Sequence, residues 1–181
     1  MPERGNVLSS RYQEAVCEAM QMLSSYKGVI FLGQAVGYPG TAMFNTLKNV
    51  PMESRIELPV AEEMQMGMSI GLALSGHIPV TIYPRYNFLL LAANQLVNHL
   101  DKMADISGRA PKVIVRVDIG SREPMDPGPQ HTGDMTETFR LLVSMPIISL
   151  ERAEDIVPSY RAAVESDGPT ILVEHMDRYN A

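Results

Sequence analysis

RIELPVAEEMQMGMSIGLALSGHIPVTIY, residues 55–83, reads as strand, helix, strand. Arg55 to Leu58 is a short strand. Pro59 opens the helix, since proline suits a first helical turn, and the helix ends near Gly76. Pro79 to Tyr83 is the next strand. The same alternation extends both ways. Upstream, Ser9 or Ser10 caps a helix to about Ser24, with Ala15, Val16, Ala19, Met20 and Leu23 at helical spacing. Val29 to Leu32 is a buried strand closed by Gly33, and the loop Gly37 to Gly40 leads to a helix from about Thr41 to Lys48. Downstream come a helix from Asn87 to Met103 and a β-branched strand from Val113 to Val117. A long loop over 118–134 follows, then a helix near 135–143, a strand from Ile147 to Leu150, a helix over 153–165 containing Pro158, and a last strand from Thr170 to Val173.

Short apolar strands separated by helices predict one α/β domain over residues 1–181, a mainly parallel sheet with helices on both faces. In such sheets ligands bind beyond the carboxyl ends of the strands. That puts the loops near 33–40, 58–62, 83–88 and 118–134 on one rim. No complete phosphate-binding glycine motif and no internal repeat is present.

Composition narrows the function. Apolar residues make up 45% of the chain, which excludes wholesale disorder. The net charge of −6, with no basic cluster, argues against nucleic acid and anionic membrane as partners. Apolar runs are too short to span a bilayer, and the N-terminal MPERGNVLSS has no apolar core, so no signal peptide is expected. The one thiol, Cys17, can form neither an internal disulfide nor a thiolate metal site, which fits a reducing cytoplasm.

Three features of the opening stretch suggest more than a fold. Glu62 is a carboxylate in a first helical turn just past a strand end. The helix dipole alone accounts for such a placement; a site is the alternative. Gly67, Gly71 and Ser75 share one helix face, although each mid-helix glycine costs about 1 kcal/mol against alanine. The face packs closely either on the domain's own sheet or on a second subunit. Met52, Met64, Met66 and Met68 fill core gaps or adapt to a partner's surface.

The motifs LPVAE (58–62), Gly67, Gly71, Gly76, Pro79, YNF (86–88) and NQLVN (94–98) together resemble the beta subunit of the pyruvate and branched-chain 2-oxoacid dehydrogenases, in their decarboxylating first component. They are similar, more distantly, to the central domain of transketolase. VIFLGQAVG (29–37), PQHTG (129–133) and DGPTILVE (167–174) extend the resemblance over nearly the whole chain. It implies a thiamine-diphosphate pyrimidine-binding domain. Glu62 then matches the glutamate that hydrogen-bonds N1′ of the aminopyrimidine and drives the tautomer that removes the C2 proton. Glu63 points about 100° away around the helix. Phe88 matches the aromatic residue stacked on the pyrimidine, Tyr83 and Tyr86 stand beside it as pocket residues, and His131 matches an active-site histidine.

The resemblance also implies what lies elsewhere. The diphosphate and Mg²⁺ module, with its Gly-Asp-Gly motif, is not in this chain, and no metal ligands are assigned here. A diphosphate-binding alpha-type partner is expected to supply it, in an α2β2 heterotetramer acting on a small 2-oxo acid or sugar. The resemblance covers the family's first domain, and its carboxyl-terminal domain is not expected within residues 1–181. Departures fall at Gln34 and Ala35, where acidic residues are usual, at Ile82, where another acid is usual, and at Pro84-Arg85. Arg85 and Arg122 are candidates to meet an anion. The alternative to an enzyme subunit is an assembly or regulatory module that keeps the fold without the chemistry.

Overall fold

The computed structural model describes residues 10–123 and 126–180. Six parallel strands form one sheet in the order β2-β1-β3-β4-β6-β5. They are β1 (Val29–Gly33), β2 (Arg55–Glu57), β3 (Ile78–Tyr83), β4 (Ile114–Ile119), β5 (Ile147–Ser149) and β6 (Thr170–His175). Leu32 pairs with Thr81, Thr81 with Val115, Val115 with Ile171, and Ile171 with Ile147. All carboxyl ends therefore reach the same rim.

Helices cover both faces. One face packs on α1 (Arg11–Ser24), α2 (Ala42–Asn45) and α7 (Ala153–Glu165), through Val16, Met20, Leu23, Phe31, Ile114, Ile156 and Leu172. The other packs on α3 (Glu62–Leu74), α4 (Tyr86–Leu91), a π-helical turn (Gln95–Leu100) and α6 (Thr136–Leu142), through Met66, Leu89, Leu96, Val115, Phe139 and Val173. A further short helix, α5, spans Met103–Ser107. Alternate β4 residues serve opposite cores, as a pleated strand requires. None of the described helices is long and apolar enough to cross a membrane.

The expected elements are present, with local adjustments. Ser10 caps α1 by accepting from Gln13 N at 3.1 Å; Ser9 lies outside the described residues. Pro59 does not open α3. Leu58 N still bonds to Gly33 O at 2.9 Å, Pro59 to Ala61 cross the rim, and the helical ladder starts with Gln65 N on Ala61 O. The helix expected over Asn87 to Met103 is interrupted, because Ala92 ends α4 and a π turn follows. Across the break the segment still buries Leu89, Ala92, Leu96 and Leu100, so the apolar periodicity survives where the α-helical ladder does not. The helix after Thr41 is a single turn. Pro158 sits inside α7, which continues through it to Glu165.

One feature was not anticipated. Arg116 and Glu174, both fully buried, meet between β4 and β6 as a bidentate pair, with Nε–Oε1 at 2.8 Å and Nη2–Oε2 at 2.7 Å. Arg116 also donates to Thr46 Oγ1 at 2.9 Å, and the hydroxyls of Tyr160 and Tyr179 donate to the Glu174 carboxylate. Asp118 lies beside Glu174 in strand register and is equally buried.

Candidate active site

Glu62 is the first residue of α3, and its neighbour along the rim is the end of β3. The side chain is 7% exposed, and its carboxylate makes no hydrogen bond among the described residues. It lines a narrow recess with Pro59, Val60, Ile82 and Phe88. The Tyr83 hydroxyl donates to Glu62 O at 3.3 Å, fixing the first turn from beneath. Burial, aided by nearby Glu62, raises the Tyr83 phenol's pKa, so it stays a neutral donor. Glu63, by contrast, is exposed and only reaches Gln95 at 3.5 Å.

Phe88 lies between this recess and a wider cleft of about 650 Å³. Its ring centroid is 5.6 Å from that of His131, tilted by 44°. The cleft is lined by Gln34, Thr41, Asn45, Arg85, Phe88 and His131, among others. The structure thus brings Glu62, Phe88, Tyr83 and His131 together at one rim. Tyr86 faces away: it is 1% exposed, bonds Thr136 Oγ1 at 2.9 Å and stacks on Phe139 at 5.6 Å. Burial pushes its phenol up to about 12. Tyr86 supports the turn from the core and lines neither cavity.

Three residues not singled out from sequence shape the site. Glu57, at the end of β2, accepts from the successive N–H groups of Ala35, Val36 and Gly37 at 2.7, 2.8 and 2.6 Å. This anion nest holds Ala35 at a φ of 56° and fixes the loop bearing Gln34. Asp118 lies under the cleft floor, 3.3 Å from Arg85 Nη1. Gly120 is crossed so closely that a Cβ there would lie 1.8 Å from His131 O and 2.8 Å from Arg85 Nε. Only glycine lets the histidine loop and the arginine stem meet. Arg122 is instead a surface residue paired with Asp126 at 3.0 Å.

The glycine face of α3 does not pack on the domain's own sheet. An added Cβ at Gly71 would meet nothing within 4 Å, and at Gly67 only the end of Gln95 at 3.9 Å. Next to it, Val60, Met64, Met68 and Leu91 are exposed, whereas Met66 is fully buried. Glu62 also borders an open hollow with Met64 and Leu91, so its carboxyl stands between the recess and this apolar face.

Residues 9–180 match the family described as transketolase, pyrimidine-binding domain. The pyruvate dehydrogenase E1 component subunit beta of Gracilaria tenuistipitata var. liui is 28% identical over 93% of this chain and 52% of its own length. The chloroplastic subunit beta-4 of Oryza sativa subsp. japonica is 26% identical over 92% of this chain and 43% of its own. The chain therefore spans about half the length of these curated relatives. Among solved structures, a split-gene transketolase, described as an inactive beta4 tetramer, superposes over 91% of this chain and 51% of its own with a TM-score of 0.71 at 17% identity. A transketolase from Campylobacter jejuni subsp. jejuni superposes over 93% of this chain and 26% of its own with a TM-score of 0.74 at 14% identity.

Proposed function

The chain belongs to the transketolase pyrimidine-binding domain family, and from that premise we propose that it is the pyrimidine-binding subunit of a heteromeric thiamine-diphosphate enzyme. Its substrate is a 2-oxo acid or a ketose, and the reaction decarboxylates it or moves an acyl or ketol unit. One observation carries the reading. Glu62 is a largely buried residue whose carboxyl has no hydrogen-bond partner among the described residues and opens onto a rim recess beside a phenylalanine. A carboxyl sheltered at a recess, with its hydrogen-bonding capacity unused by the protein, is available to pair with a ligand. A ring nitrogen of an aminopyrimidine, with its flat apolar faces, fits that donor set and the Phe88 ring.

When bound, thiamine diphosphate supplies a nucleophilic carbon, C2, next to the substrate carbonyl. Glu62 holds a proton at N1′ of the aminopyrimidine, and its shelter from water strengthens that bond. Phe88 supports the pyrimidine face. Tyr83 keeps the first turn of α3 in place through Glu62 O. His131, whose ring centroid lies 5.6 Å from that of Phe88, exchanges a proton with the substrate or steadies its carbonyl.

The diphosphate and Mg²⁺ belong, in this proposal, to an alpha-type partner. The open glycine face of α3 and its exposed methionines are the surface we assign to subunit contact, within an α2β2 assembly. The described residues share one sheet and form a single domain. Calorimetry with thiamine diphosphate and Mg²⁺, on the chain alone and with its partner, tests the reading. Binding only in the mixture, made unproductive by Glu62→Gln, supports it. No binding with a folded, correctly paired partner leaves an assembly module on a shared fold.

A further inference from the structure

Among the described residues lining the wider cleft, Arg85 carries the only permanent charge; the others are apolar, amide or hydroxyl groups and His131. Its guanidinium is built in. Nη1 donates to Pro84 O and reaches Asp118 Oδ2 at 3.3 Å, with Asp118 fully buried beneath it. The stem crosses Gly120, where any Cβ would lie under 3 Å from Nε and Cδ. Arg85 Nε and Nη2 have no hydrogen-bond partner among the described residues, and the side chain is 20% exposed. The other arginines near this end of the sheet are committed. Arg116 is locked to Glu174, Arg55 donates to Val36, Leu47 and Val50 carbonyls, and Arg122 pairs with Asp126.

We propose that Arg85 is the specificity-determining residue that receives the oxyanion of the substrate, through the guanidinium N–H groups that Pro84 and Asp118 leave unused. This rests on the cleft being the substrate side of the site proposed above. A planar fork with two parallel N–H groups matches the two oxygens of a carboxylate or phosphate. The oxyanion is either the carboxylate beside the reacting carbonyl or the phosphate of a short sugar phosphate. Asp118 is the positioning residue. Fully buried beneath the guanidinium, its Oδ2 lies 3.3 Å from Nη1 and fixes the arginine's direction at the cleft wall. Gly120 lets the arginine and the His131 loop share one wall, which places a proton-exchanging ring beside the bound anion.

The test has a cofactor-free arm and a complex arm. Oxalate and inorganic phosphate are titrated separately into the full chain, following the His131 ring resonance by NMR. One of them shifts it, and Arg85→Gln weakens that binding about ten- to a hundredfold, the range for loss of a charged hydrogen bond. Arg122→Gln leaves it unchanged. Which of the two ions binds identifies carboxylate or phosphate as the source. In the partner mixture, Arg85→Gln raises KM for pyruvate or xylulose 5-phosphate by a similar factor with a smaller change in kcat. Affinity for thiamine diphosphate stays the same, and Arg85→Lys recovers part of the loss. If Arg85→Gln alone does not fold, Arg85→Gln with Asp118→Asn removes both partners of the pair and serves in its place. The proposal is overturned if neither ion shifts His131 in the wild type, or if the arginine-free chain binds as tightly as the wild type. Ion binding through Arg85 without cofactor binding in the mixture sinks the enzymatic reading and leaves the anion site standing.

Discussion

Replacing Arg116 with methionine removes the cation from a site sealed between β4, β6 and α7. Glu174 then keeps the hydroxyls of Tyr160 and Tyr179 but loses both guanidinium contacts, at 2.8 and 2.7 Å. Breaking one partner of a buried pair costs about 3–5 kcal/mol, mostly through the charge left behind. For a chain of this size each kcal/mol lowers Tm by about 2–4 °C, so the expected fall is about 6–20 °C. Glu174→Gln added to Arg116→Met keeps the side chain's shape and an acceptor for the tyrosines while removing the stranded charge. That double variant recovers at least half of the loss. Urea unfolding followed by circular dichroism, with the m-values compared, reads both numbers. A single variant that costs under about 1 kcal/mol, or a double variant no better than the single, refutes the reasoning that an uncompensated charge dominates.

Two further outcomes are expected. Gly120→Ala puts a Cβ 1.8 Å from His131 O, a backbone atom that cannot swing aside; the loop must move, and kcat/KM of the partnered enzyme falls at least about a hundredfold, since small misplacements at a reacting centre cost that much. Unchanged kinetics contradict that placement of the loop. Asp101 tests acid stability: burial pushes its carboxyl up, but hydrogen bonds from Ser144 and Met145 and the neighbouring Lys102 outweigh burial and lower the pKa below its ordinary value. A depressed carboxyl stabilises the fold above the unfolded pKa, about 3.9, and loses that contribution as pH falls through the folded value. The stability gap between wild type and Asp101→Asn is therefore full near pH 6 and closes below about pH 4; a gap independent of pH contradicts the assignment.

Much of the architecture was legible because the strands are short apolar runs between helical periods. Val29 to Leu32 and Val113 to Val117 needed no tertiary information to be read. Glu62 stood out by position, past a strand end and in a first turn. The buried charges did not, because Arg116, Asp118 and Glu174 become partners only when residues 58 apart in sequence are brought together by the β4–β6 pairing. A usable signal existed: Arg116 and Asp118 alternate with valines in β4, which puts two charges on one face of a central strand. Gly120 looked like ordinary loop composition, since the requirement comes from two side-by-side segments and not from its own φ. The helix break after Leu91 was hidden for a different reason. A π turn preserves the apolar stripe from Leu89 to Leu100, so the periodicity is blind to it.

The most direct test of the central claim is the exchange rate of the C2 proton of thiamine diphosphate in deuterated buffer, measured by quenched-flow NMR. It compares the partnered wild-type chain with a Glu62→Gln variant that still binds the cofactor. If Glu62 activates the cofactor through N1′, the variant exchanges about 10²–10⁴ times more slowly, the range for a lost acid–base group. Equal rates in the two proteins contradict the assignment of Glu62.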